Sequence, residues 1–456
     1  VAKKLLSFLA LSTFMLSIRM DSARSAALPI KPSFEQELNV SRPFPERSEA
    51  DSNFYAIGEP NGVLILRQAL ALTLINNPEL KAFSLETRAA EARELQAGLW
   101  PNPEIDIEAE NVGGTGELSG FDGAETTIQL SQLIELGGKS QKRRKVASLE
   151  KELAGAGYQA KRLEILTEAG KAFIELLAVQ ERTTLLSELS DVSRQALNSV
   201  TQRVEAGKDP PLEKTKASVA FSNVRIEHKQ AMKELVKAKK NLASFWDNEQ
   251  PVFTQAQGQL DVVSDIPEID VLRQKLVSNP QLTRWDTEIS RNRAAVELAK
   301  SQSVPDITIG GGLRRFSETD DNALVFGVSI PLPISDRNQG GRREAAYNLA
   351  KSYEEQRAAR IEVTNQFNQI YTELSSSLDK IRELKASVLP GAQEVFEASQ
   401  EAYAQGKIDY LNVLDAQRTY FVSQSDYLEA LLTYHKAKTD MDGLVGQNIN
   451  KESVQQ

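Results

Sequence analysis

Glu104, Asp106, Glu108 and Glu110 set four carboxylates at alternate positions, with Ile105, Ile107 and Ala109 between them. On an extended backbone alternate side chains share a face, so these acids line one side of a strand. Such a row attracts cations, and on the wall of a wet passage it needs no further purpose. Catalytic alternatives find little support. The 456 residues contain no Cys and two His, His228 and His435. That excludes a thiol nucleophile, a thiolate metal site and, within one chain, a multi-His metal site. Gly310-Gly311-Gly312 lacks the Lys-Ser/Thr that follows in a phosphate loop, and it reads as a flexible or bulged strand. No Ser/His/Asp set is placed on a compact fold, so neither a cofactor nor an enzymatic activity is expected. The net charge of −9 lacks the basic footprint of nucleic-acid binding.

A sheet must hold these acids. Period-two alternation recurs at residues 126–131 and 324–330. It would put Ile105, Ile107, Ile128, Leu130, Leu324, Phe326, Val328 and Ile330 on an apolar outside. Glu104, Asp106, Glu108, Thr127 and Gln129 would form a wet inside. A half-buried sheet over a soluble core shows the same pattern. Four strands are expected, and four cannot close a membrane barrel, so several chains must contribute. Trp100, Phe316 and Phe326 stand near strand ends, either as an interfacial girdle or as ordinary packing.

Very long helices carry the strands. No proline occurs between Pro103 and Pro210, and residues 141–206 are rich in Ala, Leu, Glu, Lys and Arg. Leu163, Leu166, Gly170, Phe173 and Leu177 step by three and four. Phe367 to Val388 and Leu414 to His435 do the same, the 3.5-residue period of coiled-coil packing. Pro390 predicts a kink or break. His435 falls on the predicted seam as a packing or polar interhelix residue, and His228 has no role.

The chain repeats itself once. Asn77-Pro78-Glu79-Leu80 returns as Asn279-Pro280-Gln281-Leu282, Pro103-Glu104-Ile105 as Pro305-Asp306-Ile307, and Gly207-Lys208 as Gly406-Lys407. Each half reads as a helix (66–99, 269–301), two strands and two long helices around a Gly-Lys turn. Lys3 and Lys4, an apolar run from Leu5 to Ile18, and small residues up to Ala27 follow the order of an export signal. The expected organisation is a leader at 1–27, a Pro-rich extended segment at 28–62, repeats at 63–260 and 261–446, and a tail at 447–456. No later stretch offers the ~20 apolar residues of a membrane helix, so any span would be built from strands.

This order of elements resembles the TolC family of outer-membrane channels. Asn77-Pro78-Glu79-Leu80 is similar to that family's N-P-x-L, and Ser131 to Lys139 resembles the segment leaving its first hairpin. Ile134-Glu135-Leu136-Gly137-Gly138-Lys139 most resembles the branch serving cobalt–zinc–cadmium and copper–silver efflux. Tyr403 to Lys407, followed by Leu411 to Gln417, resembles the family's second periplasmic turn. The resemblance covers about residues 60–446. It implies an α+β membrane protein in which three chains form a twelve-stranded β-barrel continued by an α-helical coiled-coil barrel through the periplasm. It implies a homotrimer in outer-membrane lipid, a periplasmic adaptor and an inner-membrane proton-driven pump of the RND class.

By motif position the resemblance maps a periplasmic gate onto Asp415, braced by Tyr403. Asn412 stands where many members carry a second acid, and Ile408 where some carry Arg. Glu213 follows Gly207 at the spacing by which Asn412 follows Gly406, so Glu213 stands in for the missing acid. The turns Gly207-Lys208 and Gly406-Lys407 are helix caps and, exposed at the tip, the expected adaptor contacts. Channels for drugs or secreted proteins are alternative readings within the family. A periplasmic coiled-coil adaptor or scaffold without a pore is an alternative of another class.

Overall fold

The computed structural model describes residues 58–446. The expected leader (1–27), most of the Pro-rich segment (28–57) and the tail (447–456) lie outside the described residues. The chain is tied down from Glu59 onward. The Glu59 carboxylate accepts the N–H groups of Val252 (2.8 Å) and Phe253 (3.2 Å) and Nε1 of Trp246 (3.3 Å). β1 (Val63–Ile65) then pairs in parallel with β4 (Gln255–Gln257).

Each helix expected to lead a half is broken at its Asn-Pro. The first becomes α1 (Leu66–Asn76) and α2 (Pro78–Ala97). The second becomes α5 (Ile269–Lys275), a 3₁₀ turn (Leu276–Ser278) and α6 (Pro280–Ser301). Proline disfavours helical geometry in the residue before it and has no N–H to continue the ladder. Asn77 and Asn279 are accordingly extended, at ψ 122° and 125°, and begin new helices. Their side-chain oxygens cap Leu80 N–H (3.1 Å) and Gln281 N–H (2.8 Å). Their amide nitrogens reach Phe245 O (2.9 Å) and Leu444 O (2.7 Å), just past or at the end of a long helix. Both halves thus use one asparagine to begin a helix and to satisfy the end of another.

The long helices are α3 (Lys139–Glu205), α4 (Pro211–Ser244), α7 (Gln339–Glu383), α8 (Leu389–Ala404) and α9 (Tyr410–Leu444). The 67 residues of α3 rise about 100 Å at 1.5 Å each. At Pro390 the regular α-helix is interrupted, and α8 restarts at Leu389 with the proline in its first turn. A π-helical turn at Leu384–Val388 precedes it and accommodates the missing donor. The seam of α9 lies one residue earlier than the period suggested. Val413, Ala416, Ala430, Leu431, Tyr434, Ala437 and Met441 are buried; of the expected row Phe421 is buried too, while Arg418 and Ser425 are exposed. A strand of leucines at three-four spacing fits two adjacent helical rows, and the row carrying Arg418 is the costlier one to bury. His435 therefore flanks the seam, with Nε2 2.8 Å from Leu260 O, and burial lowers its pKa.

The sheet is antiparallel in the order β2 (Glu104–Glu110), β3 (Glu125–Ile134), β5 (Ile307–Phe316), β6 (Asn322–Ser329). Its register runs unbroken through Gly310, Gly311 and Gly312, so no bulge forms there. Rows such as Ile105–Leu130–Gly311–Phe326 and Ile107–Ile128–Leu313–Leu324 build one apolar face. It is bare: Ile107 is 71 % and Phe326 79 % exposed. The opposite face carries Glu104, Asp106, Glu108, Thr127 and Gln129. A Cβ on Gly312 would lie 2.2 Å from Ile128 O, so β3 and β5 crowd together on this polar side. Glycine at such a contact lets a sheet curl toward that side. Phe316 pairs with Glu125 and shares the polar face, so by parity it cannot join Trp100 and Phe326 in an outward girdle. Among the described residues no helix is long and apolar enough to cross a membrane.

Candidate functional site

The α3–α4 and α8–α9 turns close in the same way. Gly207 and Gly406 adopt φ of 71° and 73°. Gly207 N–H bonds Val204 O and Lys208 N–H bonds Arg203 O; Gly406 N–H bonds Tyr403 O and Lys407 N–H bonds Ala402 O, all at 2.8–2.9 Å. This is the glycine-terminated helix end, in which a left-handed residue lets two N–H groups turn back onto orphan carbonyls. Gly207, Lys208, Gly406 and Lys407 are all exposed at these turns.

A clasp ties the two turns together. Asp209, directly after the first turn, accepts Arg203 Nε at 2.8 Å and Nη2 at 3.1 Å, a bidentate pair. The buried Tyr403 donates its hydroxyl to the same carboxylate at 2.6 Å. Arg203 also lies 4.6 Å over the Tyr403 ring and donates to Tyr403 O at 3.2 Å. The hydrogen bond from Arg203 holds the Asp209 pKa below the ordinary aspartate range, against the opposing effect of burial. Burial first, then the bond to Asp209, pushes the Tyr403 phenol well above its usual value. Ionised Asp209, neutral Tyr403 and charged Arg203 are therefore mutually stabilising near neutral pH. Tyr403 packs at 5.6 Å on Tyr410, in a cluster with Val200, Phe396 and Val413.

Tyr403 is thus central, while the other residues marked by the resemblance divide into two places. Asn412 and Asp415 are exposed and line a groove of about 490 Å³ between α8 and α9, beside Val388, Val395 and Thr419. Glu213 sits elsewhere. Its Oε1 accepts Lys216 Nζ at 2.9 Å, and its buried Oε2 has no hydrogen-bond partner. Burial and the neighbouring Glu213 charge raise the Tyr410 phenol to about 12. One chain does not join Glu213 to the Asp415 groove. Glu104, Asp106 and Glu108 are exposed on the polar sheet face, and Asp106 accepts Ser131 Oγ at 3.0 Å. Among the described residues no group of three or more His, Cys, Asp or Glu could hold a metal ion.

Sequence reasoning missed Arg203 and Asp209. The available signal was an acid after each Gly-Lys turn, Asp209 after the first and Asp409 after the second. Asp409 begins α9, whereas Asp209 turns back to Arg203.

Residues 69–247 and 271–447 match the family described as outer membrane efflux protein. The chain is 35 % identical over 389 residues to the cobalt-zinc-cadmium resistance protein CzcC of Cupriavidus metallidurans, covering 85 % of this chain and 91 % of that protein. It is 25 % identical to the nickel and cobalt resistance protein CnrC of the same organism, over 65 % and 69 % of the two chains. In fold it is similar to CusC, with a TM-score of 0.69 at 16 % identity over 84 % of this chain and 92 % of that one. It is also similar to the Campylobacter jejuni CmeC outer membrane channel, with a TM-score of 0.71 at 15 % identity over 96 % of each.

Proposed function

The chain belongs to the outer membrane efflux protein family, the TolC family, and from that premise we propose that three copies form a duct for heavy-metal cations. It is an efflux channel of the outer membrane that extends into the periplasm, and it is not an enzyme. The observation that carries the proposal is the two-sided sheet. Nine apolar side chains, Ile105, Ile107, Ile128, Leu130, Ile309, Leu313, Leu324, Phe326 and Val328, stand exposed on one face, with acids on the other. Lipid outside and water inside satisfy both faces, and twelve strands from three chains leave no open edge. Leu212, Val219 and Ile226 form an exposed row at heptad spacing on α4, which supports helix packing against neighbouring copies. The metal class rests on the similarity to CzcC and CnrC: CzcC matches at 35 % identity, whereas the TolC and pyoverdine-export channels match at 20 % and 23 %.

In this reading the two halves are tandem repeats, and the helix turns point to the inner end. The clasp of Arg203, Asp209 and Tyr403 holds that end closed. Asp415, beside Asn412, faces a neighbouring copy across the groove, and Glu213 adds charge behind Tyr410. Gly207, Lys208, Gly406 and Lys407 meet a periplasmic adaptor, which couples the duct to an inner-membrane RND pump.

Detergent extraction of outer membranes is expected to yield a trimer that opens cation-preferring pores in planar bilayers. A water-soluble monomer without pores defeats the proposal and favours the scaffold alternative. Asp415→Ala combined with Glu213→Ala is expected to raise conductance, because smaller side chains widen the constriction and no longer hold cations there, and to lower cation preference, because the field that attracts cations is gone. An unchanged current–voltage curve removes these two residues from the gate.

A further inference from the structure

The polar face of the sheet carries five carboxylates per chain, Glu104, Asp106, Glu108, Glu110 and Glu125. Among the described residues of that face Arg314 is the one base. It lies in the row of Glu108 and Thr127, one step from the loop end of the sheet. Its Nη2 is 3.1 Å from Glu110 Oε2, its Nη1 is 3.0 Å from Glu125 Oε2, and its Nε donates to Thr127 Oγ1 at 2.9 Å. One guanidinium therefore binds β2 and β3 to β5 and covers both acids nearest the loops. Glu104, Asp106 and Glu108, nearer the helices, have no ion-pair partner among the described residues.

The arrangement is asymmetric along the strand. Along the strands, a cation leaving the helices meets unpaired acids first and a guanidinium-covered pair at the loop end. A conduit needs binding strong enough to admit an ion and weak enough to release it. Two carboxylates within reach of one guanidinium are also near enough to share one divalent cation, which favours several oxygen ligands. We infer that Arg314 is a specificity-determining residue of the duct, whose guanidinium occupies the last carboxylate pair so that cations are released at the loop end. The inference rests on the polar face lining the pore.

The test uses the full-length trimer in planar bilayers, with reversal potential under a salt gradient and block by Cd²⁺ alone added to either side. Arg314→Gln is expected to increase cation preference. It also creates Cd²⁺ block from the loop side at concentrations about tenfold lower than for the native channel, because an unneutralised carboxylate pair attracts a divalent ion strongly. Adding Glu110→Gln and Glu125→Gln to that variant abolishes the block, and Arg314→Lys, which keeps the charge but not the forked contact, falls between native and Arg314→Gln. Native reversal potential and native Cd²⁺ sensitivity in Arg314→Gln pores overturn the inference. If Arg314→Gln does not assemble, Glu110→Gln with Glu125→Gln decides: an uncovered guanidinium must lower cation preference, and unchanged selectivity overturns the inference. Absence of pores from the native protein is a different result, and it defeats the duct itself.

Discussion

Asp209→Ala channels are expected to pass far more current than native channels, with the open state favoured on the order of a hundredfold. The carboxylate makes two bonds with Arg203 and one with Tyr403. Hydrogen bonds to charged groups contribute roughly 1.5–3 kcal/mol net, and about 3 kcal/mol corresponds to a hundredfold population shift. The effect exceeds that of an isolated exposed ion pair because one half-buried carboxylate holds a bidentate guanidinium and a phenol hydroxyl at once. Tyr403→Phe keeps the ring beneath Arg203 and loses one bond, so its effect is smaller, about tenfold. Single-channel recording measures open probability for both. Native open probability in Asp209→Ala would remove the clasp from gating.

The same clasp predicts a flat pH response across the neutral range. Asp209 has a lowered pKa in the fold, so its contribution is complete above the ordinary aspartate value and is lost as acid protonates it below that value. Tyr403 has a raised pKa, so its contribution is complete below the ordinary tyrosine value of about 10 and is lost only at still higher pH. Open probability is therefore expected to hold steady between about pH 5 and about pH 9 where the clasp alone controls it. A steep change inside that window would require a different titrating group.

The second large effect is on assembly. Ile128→Arg is expected to reduce the outer-membrane trimer sharply, whereas Glu108→Lys leaves it intact and changes ion selectivity. Ile128 stands in the row Ile107–Ile128–Leu313–Leu324, 54 % exposed on the apolar face, while Glu108 stands exposed on the polar one. A lipid-facing Arg near the bilayer centre costs about 2–4 kcal/mol per chain, and a pore-facing charge costs little. Heat-modifiable migration of the extracted trimer measures the difference. Equal trimer yields from both variants would mean that the two faces do not divide lipid from water.

The sequence alone determined what repeats at short range. Alternation at residues 104–110 and 126–131 settled which side chains share a face, because strand geometry has a period of two whatever the surroundings. The three-four spacing revealed the long helices, and the glycine of each Gly-Lys turn marked its end, because only glycine takes a positive φ without strain. The Asn-Pro breaks are legible too, because proline restricts the residue before it whatever the apolar period of the helix. Contacts between distant residues were settled by packing. Tyr403 finds Asp209 across 194 positions, and Arg314 finds Glu125 across 189. Such pairs depend on how helices rotate against each other and how strands register, and small differences in burial settle both. The one-residue rotation of the α9 seam, from His435 to Tyr434, has that origin. A helical period allows neighbouring rows to compete, and packing within the chain selects the one that keeps Arg418 in water.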